Sequence, residues 1–519
     1  MANKTLFSSA LSSFGAKFLP RKDTVNEAGG SAYAYGPEAL LAQLAATGTL
    51  SDGFYADAQD QLAKALEAAW AVDAAWVAKC AIYARQSGAM KDMPALLTAV
   101  LSMSDPDLMV PVFKRVIDNG RMLRNFVQIM RSGQIGRTSL GSRPKRLVRV
   151  WLENASTRQL MQAATGNDPS LADIVKMVHP APASAERRAF YGWLIGKPYD
   201  VAALPKEIAD FEAWKAEPSR PLPDVPFEWL TAFDLAAKQW AVLAERIGWQ
   251  ALRMNLNTLA RKGVFQIDGV TEMVAARLAD PDAIARVRPM PYQLMTALTQ
   301  VGDGVPLAVQ AALEKALDLS LAKVPVLEGN VVVCPDVSGS MGSPATGYRR
   351  GATSVVRCID IAALVSAAML RSNPQTRVLP FAVDVVKLKL DPKARVAVNA
   401  AKLAGVGGGG TNVSAPLALL NREKAKVDCV VIVSDNESWV DPARYGATAT
   451  MNEWTRLKAR NPGAKLICID IQPYGSTQAK DRKDIMNVGG FTDAVFGAMA
   501  RFASNEARDW VEIVNEVEL

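Results

Sequence analysis

The hydrophobic pattern of the chain changes character once, near residue 325. From about residue 36 to 324, apolar residues recur at the 3.6-residue spacing of helices that bury one face, and Gly, Pro or Asn-Gly steps punctuate them. The pattern predicts helices over 37–47, 53–71, 74–87, 93–103, 105–118, 121–131, 144–153, 156–166, 170–177 and 184–195. Further helices are predicted over 226–246, 249–262, 270–278, 291–299 and 306–321. Paired helices joined by short links predict an α-solenoid, in which each pair buries its face on its neighbours. No strict repeat period is visible, so any repeats have diverged. Residues 198–226 carry Pro198, Pro205, Pro218, Pro221, Pro223 and Pro226, and read as an extended connector.

Beyond Pro325 the pattern becomes continuous apolar runs alternating with helical stretches. The run from Val331 to Cys334 predicts a buried strand, and further strands are expected over 376–383, 385–390, 427–433, 465–471 and 493–496. Helices are expected over 353–371, 452–460 and 500–514. Such alternation implies a mostly parallel sheet covered on both faces, with ligands beyond the carboxyl ends of its strands. The expected modules are therefore residues 1–325, helical, and 326–519, α/β.

Composition narrows the class. The 519 residues are half apolar, enough for large cores. No apolar run approaches the roughly 20 residues of a membrane helix, and the first residues do not read as a secretory signal, so a soluble, cytoplasmic protein is expected. Five scattered cysteines, none in a Cys-x-x-Cys pair, read as reduced core residues. One histidine and no close cysteine pair argue against zinc. The net charge of +7 and pI near 9.0 permit a nucleic-acid partner without requiring one.

The clearest chemistry stands at the end of the first predicted strand. Asp336-Val337-Ser338-Gly339-Ser340 places a carboxylate and two hydroxyls on a tight loop. Alone it could be a serine-capped turn. Two further loops change the picture: four glycines at 407–410 lead into Thr411, and Ser434-Asp435 closes the 427–433 run. All the atoms offered are hard oxygens, suited to Mg²⁺ or Mn²⁺. Catalytic readings fare worse. Ser340 is not in a Gly-x-Ser-x-Gly elbow, the only histidine lies in the helical half, and no phosphate-binding Gly-x-x-x-x-Gly-Lys loop exists, so no enzyme is expected.

The second chemical feature is a run of cations. Lys114, Arg115, Arg121, Arg124, Arg131, Arg137, Arg143, Lys145, Arg146 and Arg149 are accompanied only by Asp118. It is either a solvated basic face or a polyanion site, and the predominance of arginine suits bidentate phosphate contacts. His179, followed by Pro180, reads as a helix-end residue or a ligand contact.

Asp-x-Ser-x-Ser, Thr and Asp in that order at strand ends resemble the metal-ion-dependent adhesion site of von Willebrand factor A domains. The resemblance implies that Asp336, Ser338, Ser340, Thr411 and Asp435 hold a divalent cation with one position open to a partner's acidic group. A helical module joined to such a domain resembles the Ro autoantigen, or TROVE-module, family of the bacterial type. The stretch from Gln128 to Arg137 and from Arg143 to Trp151 is similar to that family's RNA-binding segment, and His179-Pro180 to a histidine implicated in binding Y RNA. The resemblance implies a ring of HEAT-like repeats closed by a Rossmann-like A domain. It implies small noncoding Y RNA on an outer basic surface, with Arg121, Arg124, Arg131, Arg137, Arg143, Lys145, Arg146, Arg149, Lys176 and His179 as contacts. It further implies single-stranded ends of misfolded RNA in a central hole, and an exoribonuclease or other protein at the A domain. The alternative is a metal-dependent protein-interaction adaptor whose basic face is incidental.

Overall fold

The structure is a computed structural model that describes residues 20–47, 50, 57–322, 324–345, 356–440, 447–472, 474–490 and 493–519. A short hairpin, β1 (Thr24–Val25) and β2 (Ser31–Ala34), leads into α1 (Pro37–Thr47), α2 (Ala58–Trp70), α3 (Ala74–Gln86) and α4 (Asp92–Ser104). Then follow α5 (Met109–Val116), α6 (Gly120–Arg131), α7 (Ser142–Asn154), α8 (Thr157–Ala163), α9 (Leu171–Val178) and α10 (Ala185–Ile195). Their boundaries have local causes. Asp57, Asp73, Asn119, Ser156, Ser170 and Ser184 each cap a helix N-terminus with a side-chain oxygen. Met122, Leu123, Phe126, Val127 and Met130 form the buried stripe of α6, and Phe126 meets Phe113 of α5 edge-on at 5.1 Å.

The proline-rich stretch departs from the sequence expectation. It contains a helix, α11 (Lys206–Ala216), because Ile208, Phe211 and Trp214 recur on one face and are buried. Single helices expected over 226–246 and 249–262 are each broken. The first becomes α12 (Phe227–Leu230) and α13 (Ala237–Arg246), because the chain between them turns Phe233 onto Trp214, edge-on at 5.1 Å. The second becomes α14 (Trp249–Met254) and α15 (Leu256–Arg261), split at Asn255, whose amide side chain donates to the Ala251 carbonyl. The run ends with α16 (Val270–Leu278), α17 (Pro281–Val287), α18 (Pro291–Gln300) and α19 (Leu307–Ser320).

A parallel five-stranded sheet follows, in the order β4-β3-β5-β6-β8. Its members are β3 (Val331–Pro335), β4 (Arg377–Val378), β5 (Cys429–Ser434), β6 (Lys465–Asp470) and β8 (Ile485–Gly489), while β7 (Ser476–Thr477) pairs antiparallel with β2. The interleaved helices are α20 (Cys358–Ser372), α21 (Val396–Ala404), α22 (Ala415–Arg422), α23 (Ala449–Arg460), α24 (Asp493–Ala503) and α25 (Trp510–Asn515). The expected strand over 385–390 does not form. The backbone reverses at Asp384, Val385 only bridges Phe381, and the lysine-bearing segment runs on without a ladder. Residues 493–496 are helical, not the last strand, because Val495, Ala498, Met499 and Phe502 share a buried helical face. The helix expected over 500–514 is correspondingly two, α24 and α25.

By packing, the described chain divides into two compact units: residues 94–289 with 297–320, and residues up to 93 with 290–296 and 321–518. The second unit thus reaches beyond the stretch after 325. Tyr33 and Ala34 of β2 pair with Thr477 and Ser476, Tyr33 is wholly buried in the sheet core, and Trp510 of α25 meets Tyr83 of α3 by an edge contact and a 3.2 Å hydrogen bond. Among the described residues no helix is long and apolar enough to cross a membrane.

Candidate metal centre and basic surface

The strand order reverses between β3 and β5: the chain leaves β3 for β4 on one side and returns to β5 on the other. The crevice outside the carboxyl ends of such neighbours is where open α/β sheets bind ligands. Asp336 follows β3 and Asp435 follows β5. The Asp336 amide continues the ladder onto the Val433 carbonyl at 2.9 Å. The Gly339 amide donates to the Gly409 carbonyl and the Gly408 amide to the Val337 carbonyl, both at 3.0 Å, so the glycine loop is sewn to the Asp-x-Ser-x-Ser loop. Gly408 and Gly409 have φ of 117° and 88°, a region costly for residues with a Cβ. Thr411 follows, and its carbonyl accepts the amides of Trp439 and Val440 at 3.2 Å, tying the third loop in.

All five expected ligands, Asp336, Ser338, Ser340, Thr411 and Asp435, are buried. Their bonds preorganise them. The Ser338 amide donates to Asp336 Oδ1 at 2.8 Å, the Ser434 hydroxyl donates to Asp336 Oδ2 at 2.6 Å, and the Ser338 and Ser340 hydroxyl oxygens lie 3.3 Å apart. Asp435 Oδ2 is buried with no hydrogen-bond partner. Burial, then the charge of Asp435, push Asp336 up to about 7, and burial raises Asp435 as well. Two buried carboxylates that repel each other, an orphan oxygen and adjacent hydroxyls form a donor set that fits a hard divalent cation. Among the described residues no group of three or more His, Cys, Asp or Glu side chains is arranged to hold a metal, so the fit depends on the hydroxyls.

Two acids around this centre escaped the sequence reading of the site. Glu437 is buried, pushed up to about 8 mainly by burial, and its Oε2 accepts the Ala28 amide at 3.1 Å. Asp470, at the end of β6, is raised well above the carboxylate range by burial, and Asn436 donates to it at 3.4 Å. A carboxylate inside the 465–471 apolar run was the available signal for Asp470. The turn joining β1 to β2 caps this region: Asn26 donates to the Ser438 carbonyl at 2.8 Å, and a Cβ on Gly30 would fall 1.9 Å from that oxygen.

In the helical unit the cations divide into two groups. Several arginines donate to carbonyls at the ends of other helices. Arg124 donates to Ala163 at the end of α8, and Arg149 to Val178 at the end of α9. Arg137 donates to Ser102 near the end of α4 at 3.0 Å. Arg187 does the same for Leu152 and Ala155 at the end of α7, at 2.8 and 2.7 Å, and Arg277 for Ala244 and Ile247 at the end of α13. A cation at these positions satisfies orphan carbonyls and opposes the negative end of the helix dipole. Arg143 instead pairs with Asp107 at 2.8 Å. The other group projects outward: Arg121, Arg131, Arg146, Lys176 and His179 are exposed and Lys145 is half-buried. Helix α9 packs against both α6 and α7. The fields of Lys176 and Arg131 both reach Asp173, which lies on α9, and Arg149 of α7 bonds the last carbonyl of α9. His179 is the left-handed C-cap of α9 (φ 49°), its amide bonded to the Val175 carbonyl at 3.0 Å and its side chain exposed. Arg131, Lys145, Arg146, Lys176 and His179 are thus carried by α9 and the two helices packed against it.

Comparison with known proteins agrees with this architecture. A family model described as the Ro60 vWA domain matches residues 330–503. A protein of Deinococcus radiodurans named RNA-binding protein RO60 is 25% identical over 526 residues, covering 94% of this chain and 96% of that one. The relative is named for binding, not for a reaction. The crystal structure of the Deinococcus radiodurans RO (RSR) protein superposes with a TM-score of 0.62 at 24% identity, covering 91% of this chain and all of that one. A mostly helical chain carrying this A-type sheet is thus similar to Ro proteins along nearly its whole length, and shares their fold.

Proposed function

We propose that the chain binds RNA as the protein component of a ribonucleoprotein. The observation that carries the reading is the convergence of exposed cations from α6, α7 and α9, beside arginines that hold those helices in register. Phosphate contacts by arginine and lysine position a nucleic acid without reading its sequence, and a folded RNA presents many phosphates to such a surface. The relative's name, RNA-binding protein RO60, supports the same reading. The finer assignment is that small noncoding Y RNA-like molecules dock on this outer basic surface. Single-stranded ends of misfolded RNA enter the hole of the helical ring expected of the family, in the service of RNA quality control or processing. Residues 1–325 serve RNA, and residues 326–519 carry the metal-dependent docking site.

At that site Asp336, Ser338, Ser340, Thr411 and Asp435 hold Mg²⁺, or Mn²⁺ in its place. The cation supplies a Lewis-acidic position for a carboxylate of a protein partner, an exoribonuclease among the candidates. The protein side chains bind and orient; no chemical step is required of them. Five free, buried cysteines support a reducing, cytoplasmic setting. The test is purification of the full chain at low salt followed by sequencing of the bound RNA. Recovery of a discrete set of small structured RNAs is expected. Recovery of none, together with no salt-dependent binding to RNA with a single-stranded tail, overturns the reading.

The buried, underpartnered carboxylates favour one companion reading, a metal-dependent protein-interaction adaptor. Asp336→Ala should abolish partner capture and leave RNA binding intact if the two activities occupy separate sites.

A further inference from the structure

The helical unit contains a second cationic feature, built from different residues. Helices α8, α11 and α13 and the proline-rich turn after α11 enclose a cavity of about 750 Å³. Arg158, Lys206, Arg220 and Arg246 line it against two carboxylates, Asp210 and Asp224. A second hollow of about 340 Å³ shares Arg158, Pro223, Asp224 and Arg246 with the first, so the two adjoin. Its walls are mixed: Met161, Val225, Phe227, Leu243, Ile247 and Ala251 form an apolar side, and Gln162 and Thr165 add polar groups. Glu228 also lines it.

The present partners of these cations are modest. Lys206 pairs with Asp210, Arg220 with Glu217 at 2.8 Å and Arg158 with Asp224 at 3.5 Å, while Arg246 donates to the Leu222 carbonyl at 3.1 Å. The side chains of Arg158, Lys206 and Arg220 are 68, 83 and 55% exposed, so their ion pairs are weakly held and can exchange for a better anion.

We infer that this double hollow is a nucleotide-binding site. A phosphate sits in the first, more cationic chamber among Lys206, Arg220 and Arg158. A base enters the second on its apolar side, beside Phe227, where Glu228 can accept an N–H from the base edge. Arg158 and Arg246, common to both chambers, flank the sugar. The first chamber carries four cations against two acids and the second two against two, with an apolar side, so the adjoining pair matches a molecule with an anionic end and a flat, partly apolar end. The volumes lie in the range of ligand pockets. The nucleotide is either free or part of an RNA strand, and in the second case the inference rests on the RNA reading above.

The test uses the full chain and a 5′-fluorescein-labelled decaribonucleotide of mixed A and C, followed by anisotropy between 50 and 200 mM salt. Lys206→Glu with Arg220→Glu should weaken binding at least tenfold and reduce the magnitude of the log-affinity against log-salt slope by about 0.7, the value for one single-strand phosphate. Ala251→Trp, which fills the second chamber without changing charge, should weaken binding with the slope unaltered. Competition by millimolar AMP in the wild type identifies a free-nucleotide site; weakening by the variants without such competition identifies a strand site. Equal affinity and slope in both folded variants, verified by thermal melting, overturns the inference while leaving the RNA reading standing. Absence of any oligonucleotide or AMP binding by the wild type overturns the inference, and the RNA reading is then decided by the copurification test above.

Discussion

The metal loops and the basic helices were both legible in the sequence as clusters of one chemistry, yet the structure treats them differently. In the loops, all five expected side chains are buried, drawn together from three segments, and one carboxylate oxygen is left without a partner. In the helical unit, Arg124, Arg137 and Arg149 spend guanidinium donors on helix-end carbonyls, while Arg131, Arg146 and Lys176 project outward. The lesson concerns cost. A buried carboxylate pair is expensive unless a bound cation or a proton compensates it, so its presence points to function. A surface arginine costs little, and its sequence cannot say whether it faces a phosphate or a backbone carbonyl.

The largest expected effects come from the arginines that hold helices. Arg187→Ala and Arg277→Ala each remove two bonds to the end of another helix, and each should destabilise the helical unit by about 2–3 kcal/mol in denaturant melts. A loss below about 0.5 kcal/mol would mean that these carbonyls are satisfied another way.

Next in size is the linkage between metal and pH. Asp336 has a folded-state pKa of about 7, above the unfolded value near 4, so its burial costs nothing at pH 4. That cost develops as pH rises through 4 to 7 and is fully present above 7 in metal-free protein. Mg²⁺ at about a hundred times its dissociation constant should therefore stabilise the protein by about 2.7 kcal/mol at pH 8, and much less at pH 5. Asp336→Asn should stabilise the metal-free protein at pH 8 and abolish the Mg²⁺ response. A Mg²⁺ shift in melting temperature that survives this substitution would remove Asp336 from the site.

The smallest stability effect belongs to the outward cations. Arg146→Glu with Lys176→Glu should move stability by no more than about 1 kcal/mol, because neither side chain bonds a helix-end carbonyl and only Lys176 lies in a helix's last turn. This is the contrast with Arg187 and Arg277, and equal destabilisation by both pairs would erase it.

How much of this could be read from sequence follows from which forces act locally. Helices with a clear apolar stripe, such as α6 and α16, were legible because periodicity and burial coincide. Helix α11 was hidden because six prolines dominate its surroundings while three spaced residues, Ile208, Phe211 and Trp214, decide its fate by burial on one face, the last two in an aromatic cluster with Trp229 and Phe233. The stretch after Asp493 was ambiguous because a short apolar run suits a strand or a buried helix equally. Strand β8 was missed because Asn487 and Gly489 dilute its pattern; pairing with β6 supplies what propensity lacks. The five candidate metal ligands were legible as a motif. Their support from Ser434, and the turn at Asn26–Gly30 that covers the Glu437 loop, were not, because both depend on chain segments remote in sequence.

Binding of RNA phosphates by the outward cations of α6, α7 and α9 is measured most directly by the salt dependence of RNA affinity. For a structured small RNA titrated between 50 and 200 mM salt, Arg146→Glu with Lys176→Glu should reduce the magnitude of the slope by about 1.8, close to 0.9 per phosphate lost. Affinity should fall at least tenfold while the melting temperature holds. An unchanged slope and affinity in the folded variant would contradict the assignment of this surface to RNA.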